Sequence, residues 1–150
     1  MTVLLAAIPL GMQALATVAD ELYFHRRRGL PRWERIGHPL DTLTVLGCYA
    51  VVLALPLTAA SLRTYVALAA FSCLFVTKDE IVHAKYCEPL EHWVHSLLFV
   101  LHPIVLASIG YLWLRQARTL MFVQGALTLA FGLYQTLYWN TSWIKSLRSR

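Results

Sequence analysis

Hydrophobic residues are gathered into five long stretches, separated by short segments rich in charged residues, glycine or proline. The stretches cover about residues 3–19, 40–60, 65–76, 93–113 and 120–139. A helix needs about 20 mostly apolar residues to cross the hydrocarbon core of a bilayer. The third stretch is shorter, so we expect its helix to continue through Lys78, Asp79 and Glu80 to about Tyr86. The pattern predicts an all-α integral membrane protein with five transmembrane helices.

Two connecting segments carry helix breakers at suitable positions. Gly29-Leu30-Pro31 follows the first stretch and Cys87-Glu88-Pro89 follows the third. Each proline suits the first turn of the next helix, where its missing N–H is not needed. We therefore expect one transmembrane domain over residues 1–150, in which about 3–60 and about 62–114 form two helical hairpins of an antiparallel bundle. The fifth helix, about 117–143, is expected to pack on that bundle as a lid.

Composition supports the membrane assignment and excludes other classes. Of the 150 residues, 58% are hydrophobic and 14% are charged, and the mean hydropathy is +0.56. Soluble domains carry about 25% charged residues, so a water-soluble globule and a disordered chain are excluded. Three cysteines, an odd number, do not make a disulfide scaffold. The net charge of +5 indicates contact with anionic lipid headgroups, so the expected partner is the lipid bilayer and not a nucleic acid.

The distribution of Lys and Arg predicts the orientation, because cytoplasmic loops carry an excess of both. Of the 13 basic residues, only Arg63, Arg115 and Arg118 fall at one set of helix ends. We therefore expect the N-terminus outside and the C-terminus in the cytoplasm, in a bacterial inner membrane. A cleaved signal peptide over 1–19 is the less favoured alternative, because it lacks a basic n-region. The ten residues at the cytoplasmic ends are Arg26, Arg27, Arg28, Arg32, Arg35, Lys78, Lys85, Lys145, Arg148 and Arg150.

All eight acidic residues lie in two windows, 20–41 and 79–91, and the six histidines lie in or just after them. The positive-inside rule barely constrains Asp and Glu, so it does not explain this segregation. Ionisable groups at membrane depth are costly and are functional candidates by default. The windows therefore predict a site at the cytoplasmic ends of the helices.

The two windows resemble each other. Each has an acid–histidine pair at a helix end, then a proline-containing turn, then a second pair at the next helix start. Asp20 and Asp79 are 59 positions apart, and His38 and His95 are 57 apart. The similarity predicts two parallel repeats related by an axis along the membrane normal.

The pairs have helical spacing, since residues three or four apart share a helix face. One pair on each of the first four helices places carboxylates and imidazoles around one cavity, where a bound cation offsets the cost of burying them. The spacing therefore predicts a site for two divalent metal ions. The predicted ligands are Glu21, His25, Glu34, His38, Asp79, Glu80, His83, Glu91 and His95.

This ligand inventory resembles that of the ferritin-like di-iron carboxylate proteins and other non-haem di-iron oxidases, which use Glu and Glu-x2-His from four helices. The resemblance covers the ligand set and the bundle geometry, about residues 20–102. Only Glu80-x2-His83 has that spacing, and the repeated His-x-x-His-His boxes of membrane desaturases and hydroxylases are absent from the sequence. The resemblance implies iron as the preferred metal, with zinc and manganese as alternatives.

Other polar residues receive supporting roles. We expect Asp20, Asp41, Glu88 and His92 to orient ligands or to lie at the surface. His102 lies seven residues after His95, about 10 Å deeper. We expect it to be a neutral histidine bonded to a carbonyl freed by Pro103, with cavity lining or haem ligation as alternatives. Cys87 is assigned to the turn near the site, and Trp139 to the interfacial aromatic belt.

The function predicted from these patterns is a membrane-embedded non-haem di-iron oxidoreductase. It would use O₂ on a lipid-soluble substrate such as an acyl lipid, a quinol or a terpenoid, with an electron-donor protein as partner. The alternatives are a zinc-dependent lipid hydrolase, a metal or proton transporter, a haem protein for electron transfer, and an interaction subunit. The competing interpretation of the cluster is a set of salt bridges with nearby arginines, which the first window supports and the second does not.

Overall fold

The computed structural model of the chain describes residues 2–144 and contains five long helices and no strand over that range. All five are long and apolar enough to span a membrane, as the hydrophobic pattern predicts. Lys145, Arg148 and Arg150, which we counted for the orientation, lie outside the described residues. The helices are α1 (Val3–Arg28), α2 (Arg32–Ala54), α3 (Ala59–Tyr86), α4 (Pro89–Leu114) and α5 (Arg118–Ser142).

The helix boundaries follow the local sequence. The third helix continues through Lys78 to Tyr86, as expected from its length. Pro89 occupies the first turn of α4, whereas Pro31 lies one position before α2 as its N-cap. The second helix ends at Ala54, earlier than predicted, because Leu55 precedes a proline and adopts an extended conformation.

Three segments depart from regular α-helical geometry. α1 is π-helical over Asp20–His25, α5 is π-helical over Tyr138–Ser142, and α3 narrows to a 3₁₀ helix over Val76–Asp79. π-helical turns are rare and are frequent at functional sites. The segments of α1 and α3 each include residues of the acid–histidine windows. The segment of α5 contacts one of these residues, because Trp139 hydrogen-bonds to Glu21.

The turns at 29–31 and 87–88 lie at the same end of the molecule, since Arg28 hydrogen-bonds to Glu91 in the first turn of α4. We call this end the turn end. Gly29 in the first turn has a φ of +76°, a conformation that favours glycine, and a Cβ there would lie 2.8 Å from the Trp143 ring. The turn therefore requires glycine for both reasons.

The helices do not pack in the order of the sequence. α1 packs mainly along α4, and α5 mainly along α2, while α3 contacts both α2 and α4. α1 and α2 are joined by a turn, but a cavity lies between them. The antiparallel arrangement of the two predicted hairpins therefore stays a prediction.

An apolar core fills the end opposite the turns. Its buried residues include Val52 on α2, Tyr65 on α3, Ile109 on α4 and Met121 on α5. The Tyr65 hydroxyl donates to the Leu106 carbonyl. This packing leaves the ionisable residues at the turn end as a separate buried layer.

Candidate metal centre

The π-helical segment of α1 brings three ionisable side chains to one side. In an α-helix, Asp20 and His25, five positions apart, would be separated by about 140° around the axis. A π-turn forms its hydrogen bonds between residues five positions apart and turns less per residue, and Asp20 Oδ2 lies 3.1 Å from His25 Nε2. Glu21 Oε2 is 3.2 Å from the other ring nitrogen, Nδ1. All three residues are buried.

A first group of candidate ligands joins α1 to α4. His95 Nε2 lies 2.9 Å from Asp20 Oδ2, and Glu91 Oε1 lies 3.9 Å from His25 Nε2. One ligand atom from each of these four residues lies within 4.8 Å of every other. All four residues are buried, so α1 and α4 supply one compact set of two carboxylates and two imidazoles.

A second group joins α2 to α3 and shares no residue with the first. Glu34, His38 and His83 also place ligand atoms within 4.8 Å of one another, and His83 Nε2 is 3.5 Å from Glu34 Oε1. The groups are in contact, because the rings of His83 and His95 stack at 3.7 Å between centroids and those of His25 and His38 at 4.8 Å. The first four helices, α1 to α4, therefore meet at one cluster.

Several polar atoms of this cluster have no hydrogen-bond partner among the described residues. Both ring nitrogens of His83 and Oδ1 of Asp20 are buried and unpartnered. Burying a polar group without a hydrogen bond costs about 1–3 kcal/mol. A bound cation would accept a lone pair from Asp20 Oδ1 and from the unprotonated ring nitrogen of His83, so the donor set fits a metal centre.

One arginine reaches the cluster. Arg28 Nη1 lies 2.9 Å from Glu34 Oε2, and Arg28 Nη2 lies 2.9 Å from Glu91 Oε1. Its neighbours Arg26 and Arg27 instead contact tyrosine rings. Salt bridging, the competing interpretation, therefore holds for one guanidinium. The other buried carboxylates of the cluster are Asp20 and Glu21.

Two predicted ligands are not members of any ligand group of the described residues. Glu80 is 46% exposed and pairs at 3.0 Å with His92, itself 38% exposed, because it lies at the edge of the helix face that His83 presents inward. Asp79 ends the 3₁₀ segment, and its Oδ2 lies 3.1 Å from Lys78 Nζ, which also binds Asp41 at 2.6 Å. None of the ligand groups among the described residues includes either residue, although Asp79 is buried, lines the cavity and leaves Oδ1 without a hydrogen-bond partner.

Asp20 is a correction in the opposite direction. We expected it to orient a ligand or lie at the surface. The π-turn places it between His25 and His95 instead. Glu88 is exposed, so of the two expected roles it has the position at the surface.

An aromatic and a sulfur side chain, Trp139 and Cys87, contact the cluster. Trp139 is buried and donates its indole N–H to Glu21 Oε1 at 2.5 Å, so it is not an interfacial belt residue. Cys87 Sγ lies 3.8 Å from His95 Nδ1 and forms a further ligand group with His83 and His95. Burial raises the pKa of the Cys87 thiol to about 12, so the thiol is protonated at neutral pH without a metal.

His102 lies deeper than the cluster, and its hydrogen bond within residues 2–144 is to a serine and not to a freed carbonyl. Its Nε2 lies 2.9 Å from Ser72 Oγ on α3, and Ser72 is 2.6 Å from Thr44 Oγ1 on α2. His102 also lines the central cavity, which was the alternative expectation.

A cavity of about 580 Å³ adjoins the cluster. Asp20, His25, His38, His83 and His95 form its wall at the turn end. Its opposite limit is set by core residues, and all five helices contribute to its lining. The candidate ligands therefore face this cavity.

Comparison of the chain with protein families, with curated proteins and with solved structures finds no match. The candidate site is therefore interpreted from its own geometry.

Proposed function

We propose that the protein is a membrane-embedded oxidoreductase that holds two divalent metal ions, iron preferred, and uses O₂ on a lipid-soluble substrate. The observation that carries this proposal is a set of four overlapping ligand groups beside a cavity, two of which share no residue with each other. Asp20, His25, Glu91 and His95 would hold one ion. Glu34, His38 and His83 would hold the other. Two iron ions bound there would supply redox chemistry with O₂.

The number of buried ligand atoms, more than the net charge, supports two ions. Four carboxylates and one guanidinium bring a net charge of −3 to the cluster if its histidines are neutral. One divalent ion leaves this at −1, and two bring it to +1. Both totals are small, but one ion leaves the ligand atoms of the second group uncompensated, at a cost of about 1–3 kcal/mol for each neutral group. Mixed carboxylate and imidazole ligands suit iron, manganese and zinc.

The chain's own residues would bind and shield the reaction site. Arg28 crosses from the end of α1 to Glu34 and Glu91, and only 18% of its side chain is exposed. It lies between the cluster and the turn end, so it restricts access of water. Trp139 holds Glu21 through its indole N–H, which fixes the carboxylate that contacts His25. Groups that hold a ligand in this way commonly raise metal affinity.

The membrane placement proposed for this function follows the distribution of positive charges. The turn end would face the cytoplasm of a bacterium, with the N-terminus outside the inner membrane. An electron-donor protein would then reach the site from the cytoplasm. We also propose that α1–α2 and α3–α4 are parallel repeats, since each pair supplies a histidine from both of its helices to the cluster.

A zinc-dependent lipid hydrolase is the second candidate, and Cys87 favours it. Its sulfur joins two imidazoles in one ligand group, and thiolate and imidazole ligands are typical of zinc. A transporter is less favoured, because the apolar core residues Val52, Ile109 and Met121 occupy the end of the described chain opposite the cluster.

Elemental analysis of detergent-purified protein, together with an absorption spectrum, tests the proposal. Two irons per chain without a Soret band are expected. Zinc in place of iron would favour the hydrolase, and a Soret band would indicate haem. Protein without any stoichiometric metal would contradict both metal-dependent functions.

A further inference from the structure

The cavity is long and closed at both ends. It extends along α1 from Asp20 to Leu10, ten residues and therefore about 15 Å. Arg28 lies across the turn end. Leu10, Tyr49 and Val105 line the other limit and belong to the apolar core. A ligand therefore enters neither from the aqueous turn end nor through the core.

The side of the cavity between α1 and α5 is its exposed wall. Among the residues that line the cavity, Ala14, Val18 and Leu127 are exposed, and all three belong to these two helices. Val18 is 43% exposed and Leu127 60%. α1 packs mainly along α4 and α5 mainly along α2. In a bilayer this wall faces lipid, so it is the lateral entrance.

The cavity carries polar groups at a depth where lipid-facing walls are usually apolar. The side-chain oxygen of Gln13 is buried, lines the cavity and accepts no hydrogen bond from the described residues. Gln13 lies seven residues before Asp20, about 10 Å from the cluster. His102 lies at the same depth on the facing helix, seven residues after His95. An unpartnered buried acceptor is costly, and a ligand hydroxyl would satisfy it.

We propose that the cavity binds a lipid-soluble alcohol that enters from the bilayer between α1 and α5. Its hydroxyl would donate a hydrogen bond to Gln13 Oε1. The part of the molecule that reaches the metal ligands would lie about 10 Å from that hydroxyl. The apolar residues of the wall would contact the hydrocarbon body. This inference rests on the proposed function for the reaction, but binding of the alcohol requires neither metal nor turnover.

Photo-crosslinking tests the inference. The probes are a diazirine-bearing hexadecanol and its methyl ether, which keeps the chain and loses the hydrogen-bond donor. Metal-free protein is labelled in vesicles, and labelled peptides are identified by mass spectrometry. We expect cavity-lining peptides of α1 and α5 to be labelled by the alcohol about fivefold more than by the ether, as one hydrogen bond predicts.

Variants separate the entrance from the acceptor. Val18→Trp and Leu127→Trp should reduce labelling several-fold, whereas Leu15→Trp and Leu133→Trp, on exposed positions outside the cavity lining, should not. Gln13→Leu should abolish the preference for alcohol over ether. Gln13→Met, which keeps the side-chain length, is the second variant if Gln13→Leu does not fold.

Equal labelling by both probes in the native protein, or an unchanged preference in a folded Gln13 variant, would overturn the inference. Labelling that is insensitive to both cavity-side tryptophans would overturn the lateral entrance. Absence of metal in purified protein would contradict the proposed function and leave these labelling results as they are, so the two failures are distinguishable.

Discussion

Asp20 Oδ2 lies 3.1 Å from His25 Nε2 and 2.9 Å from His95 Nε2. The first contact joins residues five positions apart and depends on the π-turn of α1. The second joins α1 to α4. One carboxylate oxygen thus connects two imidazoles from different helices in a buried layer, which is the central relationship of the candidate metal centre.

Asp20 is therefore predicted to be a metal ligand and Glu80 is not. Asp20→Ala should lower metal affinity at least about tenfold, a typical loss when a group of a metal site is removed. Glu80→Ala should keep full metal content, because Glu80 is half-exposed and pairs with His92. Metal per chain is measured by elemental analysis after dialysis against dilute chelator. Equal metal loss in the two variants would contradict the assignment of ligands.

His83 should destabilise the metal-free protein and stabilise the metal-bound one. Both of its ring nitrogens are buried without a hydrogen bond to the described residues. His83→Leu removes this penalty, so we expect the metal-free variant to be more stable than the native protein by about 1 kcal/mol. Added metal should then stabilise the variant less than the native chain. Thermal unfolding with and without metal is the measurement.

His92→Leu is the matched control for His83→Leu, because His92 lies on the next helix and is 38% exposed. It should change the response to metal little. A His83→Leu protein that is much less stable without metal would argue for a purely structural histidine.

Arg28 should matter most when no metal is bound. It bridges Glu34 and Glu91, and breaking a buried ion pair leaves carboxylates uncompensated at about 3–5 kcal/mol. Arg28→Ala should therefore lower the melting temperature of the metal-free protein, and added divalent metal should restore much of the loss because cations replace the guanidinium charge. Arg27→Ala, whose guanidinium lies over the Tyr23 ring, should be near neutral. If the melting temperature of Arg28→Ala were lowered equally with and without added metal, the idea that bound cations replace the guanidinium charge would be contradicted.

Cys87 should react slowly with alkylating reagents in the metal-free protein. Burial raises its pKa to about 12, so about one thiol in ten thousand is ionised at pH 8, compared with about a quarter for an ordinary thiol. In a Cys48→Ala/Cys73→Ala background, alkylation should accelerate about tenfold for each pH unit up to about 12. Peptide mass spectrometry follows the reaction. A rate that levels off near pH 9 would contradict the raised pKa.

Hydropathy and spacing along the chain predicted most of the architecture. Five spans follow from stretch length, and the turns at 29–31 and 87–88 follow from glycine and proline chemistry. Acid–histidine spacing placed Glu21, His25, Glu34 and His38 in one cluster, because neighbours on a helix face stay neighbours after folding. The same spacing argument predicted the positions of the pair Glu91/His95 and of His83 in the cluster.

What the sequence by itself determined is thus helix length, helix ends and the inward faces of regular turns. Tertiary structure alone decided the rest. It turned Asp20 inward through a π-turn and left Glu80 with His92. It also brought Trp139 to Glu21 and Cys87 to His95. The physical reason is that helical periodicity is a local property, which assumes 3.6 residues per turn. Departures from that periodicity and contacts between helices depend instead on the neighbours that surround each buried polar group in the folded chain.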